Sequence, residues 1–170
     1  MIDKSQYTMT LISGNQVMIK RVDGHINIKP NIHAKHYKTA FSNKEKRGER
    51  YVFPDAYMPF IPDKLDCGLF NISKLVSDGY TDDKMDYIPV LIMCNDIIAQ
   101  GRVNFALENK VIHKREFSSI HTVSVKVAKT DIPSFINVFF NLKENRPKGN
   151  TLLKEDVAQI KLDEMISIMN

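Results

Sequence analysis

Residues 87–127 read YIPVLIMCNDIIAQGRVNFALENKVIHKREFSSIHTVSVKV, and the way their apolar positions recur decides what kind of fold the chain makes. Tyr87 to Cys94 is almost continuously apolar, Asn95-Asp96 supplies a two-residue turn, and Ile97 to Leu107 alternates. Ile97, Ala99, Gly101, Val103, Phe105 and Leu107 take one face and Ile98, Gln100, Arg102 and Asn104 the other, which is the period of a strand. Cys94 is then expected opposite Ile97 on the apolar face. Glu108-Asn109-Lys110 turns the chain into Val111 to Phe117. Ile120 to Val127 alternates again, with Val123, Val125 and Val127 inward and Thr122, Ser124 and Lys126 outward. Strands joined by turns this short predict an antiparallel meander.

Toward the N-terminus the same period continues in Tyr7 to Ile12, Val17 to Val22 and His25 to Lys29. Asp23-Gly24 is the strongest local signal in the chain, because a type I′ hairpin turn needs positive φ at both central positions. It pairs Val22 with His25, Arg21 with Ile26, Lys20 with Asn27 and Ile19 with Ile28. Opposed residues share a face, so Ile19, Ile26 and Ile28 point inward and Lys20, Lys29, His25 and Asn27 outward.

Between residues 30 and 64 the periodicity disappears, and three prolines stand among six aromatic residues, which predicts a long ordered or semi-ordered loop. Leu69, Ile72, Leu75 and Val76 recur at helical spacing, with Gly79 as the residue that ends the helix. Ile132, Phe135, Ile136, Phe139 and Phe140 follow Asp131 as an N-cap and Pro133 in the first turn, which predicts a second helix, with a strand as its rival. Lys143 to Asn150 is a polar break, and Thr151 to Met169 predicts a C-terminal helix of strong helix formers. The expected fold is therefore α+β: one domain over residues 1–170, an antiparallel β-sheet or small β-barrel, a long basic-aromatic loop and C-terminal helices.

Hydrophobic residues at 43%, charged at 26% and aromatic at 9% describe a globular chain. No window approaches the roughly 18 apolar residues of a membrane span, and the start MIDKSQYTMT lacks the layout of a signal peptide. Two cysteines, Cys67 and Cys94, are no disulfide framework, so an intracellular, cytoplasmic protein is expected. The ratio of 18 Lys to 6 Arg, with 19 Ile and 13 Asn, is what AT-rich coding produces and points to a viral, phage or AT-rich microbial source.

The net charge of +4 is unevenly spread: residues 29–64 carry +4, residues 65–100 carry −4 and residues 101–150 carry +5. Segregation of this kind makes a local positive surface able to hold phosphate. Lys35, Lys38, Lys44, Lys46, Arg47 and Arg50 surround Tyr37 and Phe41, which joins cations for phosphates to rings on which unpaired bases stack. Glu45 and Glu49 interleave with them, and a solvated loop is the plain alternative. Arg102, Lys114, Arg115 and Lys126 come from separate expected strands and would add a basic strand face, although edge strands also carry lysine to prevent aggregation.

From these residues the expected function is non-enzymatic binding of nucleic acid, single-stranded DNA or RNA, largely without sequence specificity, by a viral or mobile-element protein. A self-assembling matrix or coat protein, its basic patch against an anionic membrane or a nucleocapsid, is the rival, with a homo-oligomer formed through the apolar front of the C-terminal helix. A metal-dependent nuclease is the enzymatic alternative, since Asp63 with Asp82-Asp83-Lys84, or Asp96 with Glu108-Asn109-Lys110, spells acid, then acid-x-Lys. His33, His36 and Cys67 form only a partial zinc set, and Cys67 before a short helix has no nucleophile signature around it. No catalytic residue, metal, cofactor or small-molecule substrate is expected.

Overall fold

Asp23 and Gly24 both take positive φ, 51° and 81°, and so close the hairpin between β2 (Gln16–Val22) and β3 (His25–Pro30) in the register the turn demands. Val22 faces His25, Arg21 faces Ile26, Lys20 faces Asn27 and Ile19 faces Ile28. β1 (Gln6–Thr10) adds to the other side of β2. Ile19 and Ile28 are buried, Ile26 is half-buried, and Lys20, His25, Asn27 and Lys29 are exposed. These coordinates are a computed structural model that describes residues 6–31, 41–143 and 146–164.

The stretch expected as a loop over residues 30–64 holds a second hairpin. β4 (Phe41–Lys46) pairs with β5 (Glu49–Pro54) around Arg47-Gly48, whose φ values of 52° and 80° make the same mirror-image turn with arginine in place of the usual asparagine or aspartate. β4 reads FSNKEK and buries no residue, so no apolar alternation announces it. β5 buries Val52, Phe53 and Pro54. A 3-10 turn over Asp55–Phe60 and another over Cys67–Phe70 lead into α1 (Ile72–Ser77). Asn71 caps α1 by accepting from the Lys74 backbone N–H, 3.2 Å away, and Gly79 at φ 85° ends it with Tyr80 N–H donating to Leu75 and Gly79 N–H to Val76.

The largest sheet has the strand order β11-β6-β8-β7, built from β6 (Tyr87–Cys94), β7 (His113–Phe117), β8 (Thr122–Ala128) and β11 (Val157–Leu162). It is antiparallel, but it is not the expected meander. Ile97–Ala106 is a helix, α2, and Cys94 pairs with Val157 instead of Ile97. A pattern repeating every second residue also contains one repeating every fourth. Ala99, Val103 and Leu107 are buried on that spacing, whereas Phe105, on the same face of the expected strand, is 78% exposed. The Asp96 carboxylate accepts from the Ala99 backbone N–H at 2.7 Å, so Asn95-Asp96 starts a helix and does not turn a hairpin.

The C-terminal helix over residues 151–169 is also corrected. Thr151 begins a single wide turn through Asp156, and the chain then extends as β11 along β6. A β-bulge between Val157 and Gln159 sets Val157 and Ile160 on one face, so a strand reproduces the i, i+3 spacing of a helix. Residues 165–170 lie outside the described residues.

One face of this sheet is core, with Ile88, Val90, Ile92, Val123, Val125 and Val127 at most 5% exposed. α3 (Ile132–Phe139) forms as its spacing predicts, burying Ile132, Phe135, Ile136 and Phe139, and passes directly into β9 (Phe140–Lys143), which pairs with β10 (Arg146–Gly149). The buried apolar side chains from Met9 to Leu162 form one cluster. Among the described residues the sheets stay separate and none closes into a barrel. No helix among them is long and apolar enough to cross a membrane.

Candidate nucleic-acid interface

The register of the four-stranded sheet places rings and cations together on its second face. Tyr87, Pro89, Leu91 and Met93 of β6 lie beside Ala128, Lys126, Ser124 and Thr122 of β8, and these lie beside His113, Arg115 and Phe117 of β7. Lys161 and Gln159 of β11 complete the rows. The Lys126 ammonium stands 4.9 Å from the centre of the Tyr87 ring, and the Arg115 guanidinium 5.2 Å from that of Phe117. His113 and Arg115 are exposed, while Tyr87, Phe117, Lys126 and Lys161 are half-buried. An acid also reaches this face: Asp163, buried, accepts from the Ser124 hydroxyl at 2.8 Å.

The expected site residues do not converge on one surface. Lys35, Tyr37 and Lys38 lie outside the described residues, as do His33 and His36. Phe41 is half-buried against the core. Lys44, Lys46 and Arg47 are exposed at the end of the β4-β5 hairpin, but Glu49 stands opposite Lys46 and Glu45 opposite Arg50. Cross-strand pairing thus offsets part of the charge that the sequence counts as basic. Arg50 also donates to the Ile26 carbonyl at 3.3 Å.

Two expected cations serve the fold. Arg102 lies on α2, not on a strand, and its guanidinium pairs with the buried Asp156 carboxylate at 2.9 Å. Lys114 points to the core side of β7 and donates to the Asn104 carbonyl at 3.0 Å, in the last turn of α2 where a cation suits the unpaired carbonyls. Arg115 and Lys126 are therefore the two of the expected twelve that share one face of the sheet. Their partners Tyr87 and Phe117 were missed: Tyr87 opens a continuous apolar run, which gives no sign of which residues face outward, and Phe117 closes the polar stretch HKREF.

Two acids of the nuclease patterns, Asp82 and Asp96, serve the fold. Asp82 accepts from the Thr10 backbone N–H at 2.9 Å, the Thr10 hydroxyl at 2.8 Å and the Lys129 ammonium at 2.8 Å. Asp96 caps the start of α2, and Glu108 follows its end. A helix of ten residues, about 15 Å long, stands between them. Among the described residues no three His, Cys, Asp or Glu side chains gather as metal ligands.

His121 sits at φ 50° just before β8, at the end of a 3-10 turn over Ser118–Ile120. Cys67 opens a short 3-10 turn capped by the Asp66 carboxylate, and Cys94 is buried in the sheet. Burial, with Asp156 and Asp96 nearby, pushes the Cys94 thiol up to about 11. Iodoacetamide at pH 8 is expected to alkylate Cys67 alone in the native protein and both cysteines after denaturation, read by intact mass. Native modification of Cys94 at a comparable rate would show that β6 and β11 separate readily.

Compared with family models, with curated proteins and with solved structures, the chain matches none, so the reading of this interface rests on its own residues.

Proposed function

We propose that the protein binds single-stranded nucleic acid, DNA or RNA, without sequence specificity and without catalysis, through the second face of its four-stranded sheet. The observation that carries this reading is the pairing of Tyr87 with Lys126 and of Phe117 with Arg115 on one face. Bases of any identity stack on the rings, and phosphates between them meet the cations. The exposed Lys44, Lys46 and Arg47 supply a second, purely electrostatic contact. A reducing cytoplasm suits two unpaired cysteines, and the composition suits a viral or mobile-element gene.

Anisotropy of a labelled single strand, titrated at several salt concentrations, tests the reading. Affinity is expected to fall with salt with a log-log slope of about −0.7 per phosphate neutralised. Arg115→Glu with Lys126→Glu should flatten that slope by one to two contacts. Tyr87→Leu should weaken binding by about 1–3 kcal/mol, the value of one stacked base. Binding that ignores salt and survives all three substitutions would refute this interface.

A further inference from the structure

The β9-β10 hairpin carries a cluster of cations that reads in the sequence only as a polar break. Its register sets Lys148 opposite Asn141 and Arg146 opposite Lys143, so all four side chains share one face of the hairpin. The wide turn after β10 brings Thr151 and Lys154 against the same face, and between them lies a cavity of about 390 Å³ lined by Asn141, Lys143, Lys148, Asn150, Thr151 and Lys154. Three lysines line it. Among the described residues that line it, none is an acid.

The frame of this cavity is fixed independently of any ligand. Asn150 donates through its side-chain amide to the Val138 carbonyl at 2.7 Å and accepts from the Leu153 backbone N–H at 3.0 Å. Its backbone N–H bonds Phe139 and its carbonyl receives the Lys154 N–H, both within 3.0 Å. Beneath, Phe140 is buried edge-on against Phe60 and Tyr57. A Cβ on Gly149 would come within 2.9 Å of a Leu153 methyl, so a larger residue there would have to push that side chain aside. Like charges gathered on an anchored frame repel one another, and an anion between them removes that cost.

We infer that this cavity is a binding site for a phosphate monoester. Lysine meets phosphate as a point charge without the fork geometry that arginine requires, and three lysines more than offset the charge of a terminal phosphate, about −2 near neutral pH. Asn141 and Thr151 add neutral hydrogen-bond donors. The volume lies at the small end of the roughly 300–1,000 Å³ usual for ligand pockets, which fits one compact group and not a length of polymer. The phosphate can belong to a small phosphorylated molecule or to the 5′ end of a nucleic-acid strand. Both present the same chemistry to the lysines.

Titration calorimetry of the full chain with four probes separates these sources: inorganic phosphate, adenosine monophosphate, and one oligonucleotide with either a 5′-phosphate or a 5′-hydroxyl. The site predicts binding of inorganic phosphate and of the monophosphate. If the end of a strand is the source, the 5′-phosphate form also binds about tenfold tighter than the 5′-hydroxyl form. Lys148→Ala and Lys154→Ala should each weaken binding of the monophosphate about tenfold, and Lys148→Arg should restore most of it. All three substitutions are at exposed positions, and an unchanged melting temperature shows that the fold is intact.

Binding of the 5′-hydroxyl strand reports the sheet face and should not change in these variants, so failure of one site leaves the other standing. No binding of either small phosphate, or binding that Lys148→Ala and Lys154→Ala leave unaltered, overturns the inference.

Discussion

A chain ending at Asn150 is expected to lose its fold altogether. Such a truncation removes Leu153, Val157, Ile160 and Leu162, all 4% exposed or less, and strips β6 of one of its two partner strands. Burial of four such side chains is worth about 6–12 kcal/mol, against a total stability of about 5–15 kcal/mol for a typical domain. Circular dichroism and a denaturant titration should show no cooperative transition. Ile160→Ala in the full chain gives a graded version of the same test, with an expected loss of about 2–5 kcal/mol. A truncated chain that still unfolds cooperatively would show that β11 is an accessory. The helix expected here from sequence predicts a lower oligomeric state on truncation, and the two outcomes are told apart by light scattering beside the melt.

Asp82→Ala should produce the largest loss among single polar substitutions. Its carboxylate joins Thr10 at the end of β1 to Lys129 after β8, and the Lys129 side chain is only 9% exposed. Removing the acid leaves a nearly buried ammonium with the Tyr80 carbonyl as its remaining hydrogen-bond partner. The cost is about 3–5 kcal/mol, which for a chain of this size lowers Tm by roughly 6–20 °C. Adding Lys129→Met to Asp82→Ala should recover much of that, because the unpaired charge goes with the lysine. Calorimetry of the single and double variants reads both numbers. A shift below about 2 °C for Asp82→Ala would mean that water replaces the carboxylate freely.

The parts of this fold that the sequence discloses are those in which a residue's chemistry admits one local answer. Asp23-Gly24 permits a single tight turn and fixes four cross-strand pairs at once. Pro133 and the spacing from Ile132 to Phe139 favour α3 over the rival strand, and the helix forms. The failures arise where two periods coincide. Ala99, Val103 and Leu107 satisfy both a strand and a helix, and only the Asp96 cap separates the two. Val157 and Ile160 satisfy both because the partner strand tolerates a bulge. Arg47-Gly48 makes a hairpin turn from a residue pair that seldom does so.

The candidate site was harder to foresee than the fold. Counting cations shows where lysines occur but not what each one faces, and Arg102, Lys114 and Arg50 turn out to be held by Asp156, Asn104 and Ile26. Tyr87, Phe117 and Lys148 acquire their neighbours only through register, and Lys154 through the wide turn that follows β10.

The position of β11 in the sheet also sets a clock for the growing chain. The β2-β3 hairpin closes in about 1–10 μs once its residues are free, because its partners are neighbours in sequence. β6 has no such neighbour on one side: Ile92 waits for Ile160, and Ile160 in turn bridges to Leu65. At about 5–20 residues per second, the ribosome needs about 3–14 s to travel from the end of β6 to the end of β11. Throughout that interval an apolar strand offers a row of open backbone groups to any passing chain. The yield of folded protein should therefore depend on translation speed through residues 95–162 and on chaperones that shield β6, more than on the intrinsic folding rate.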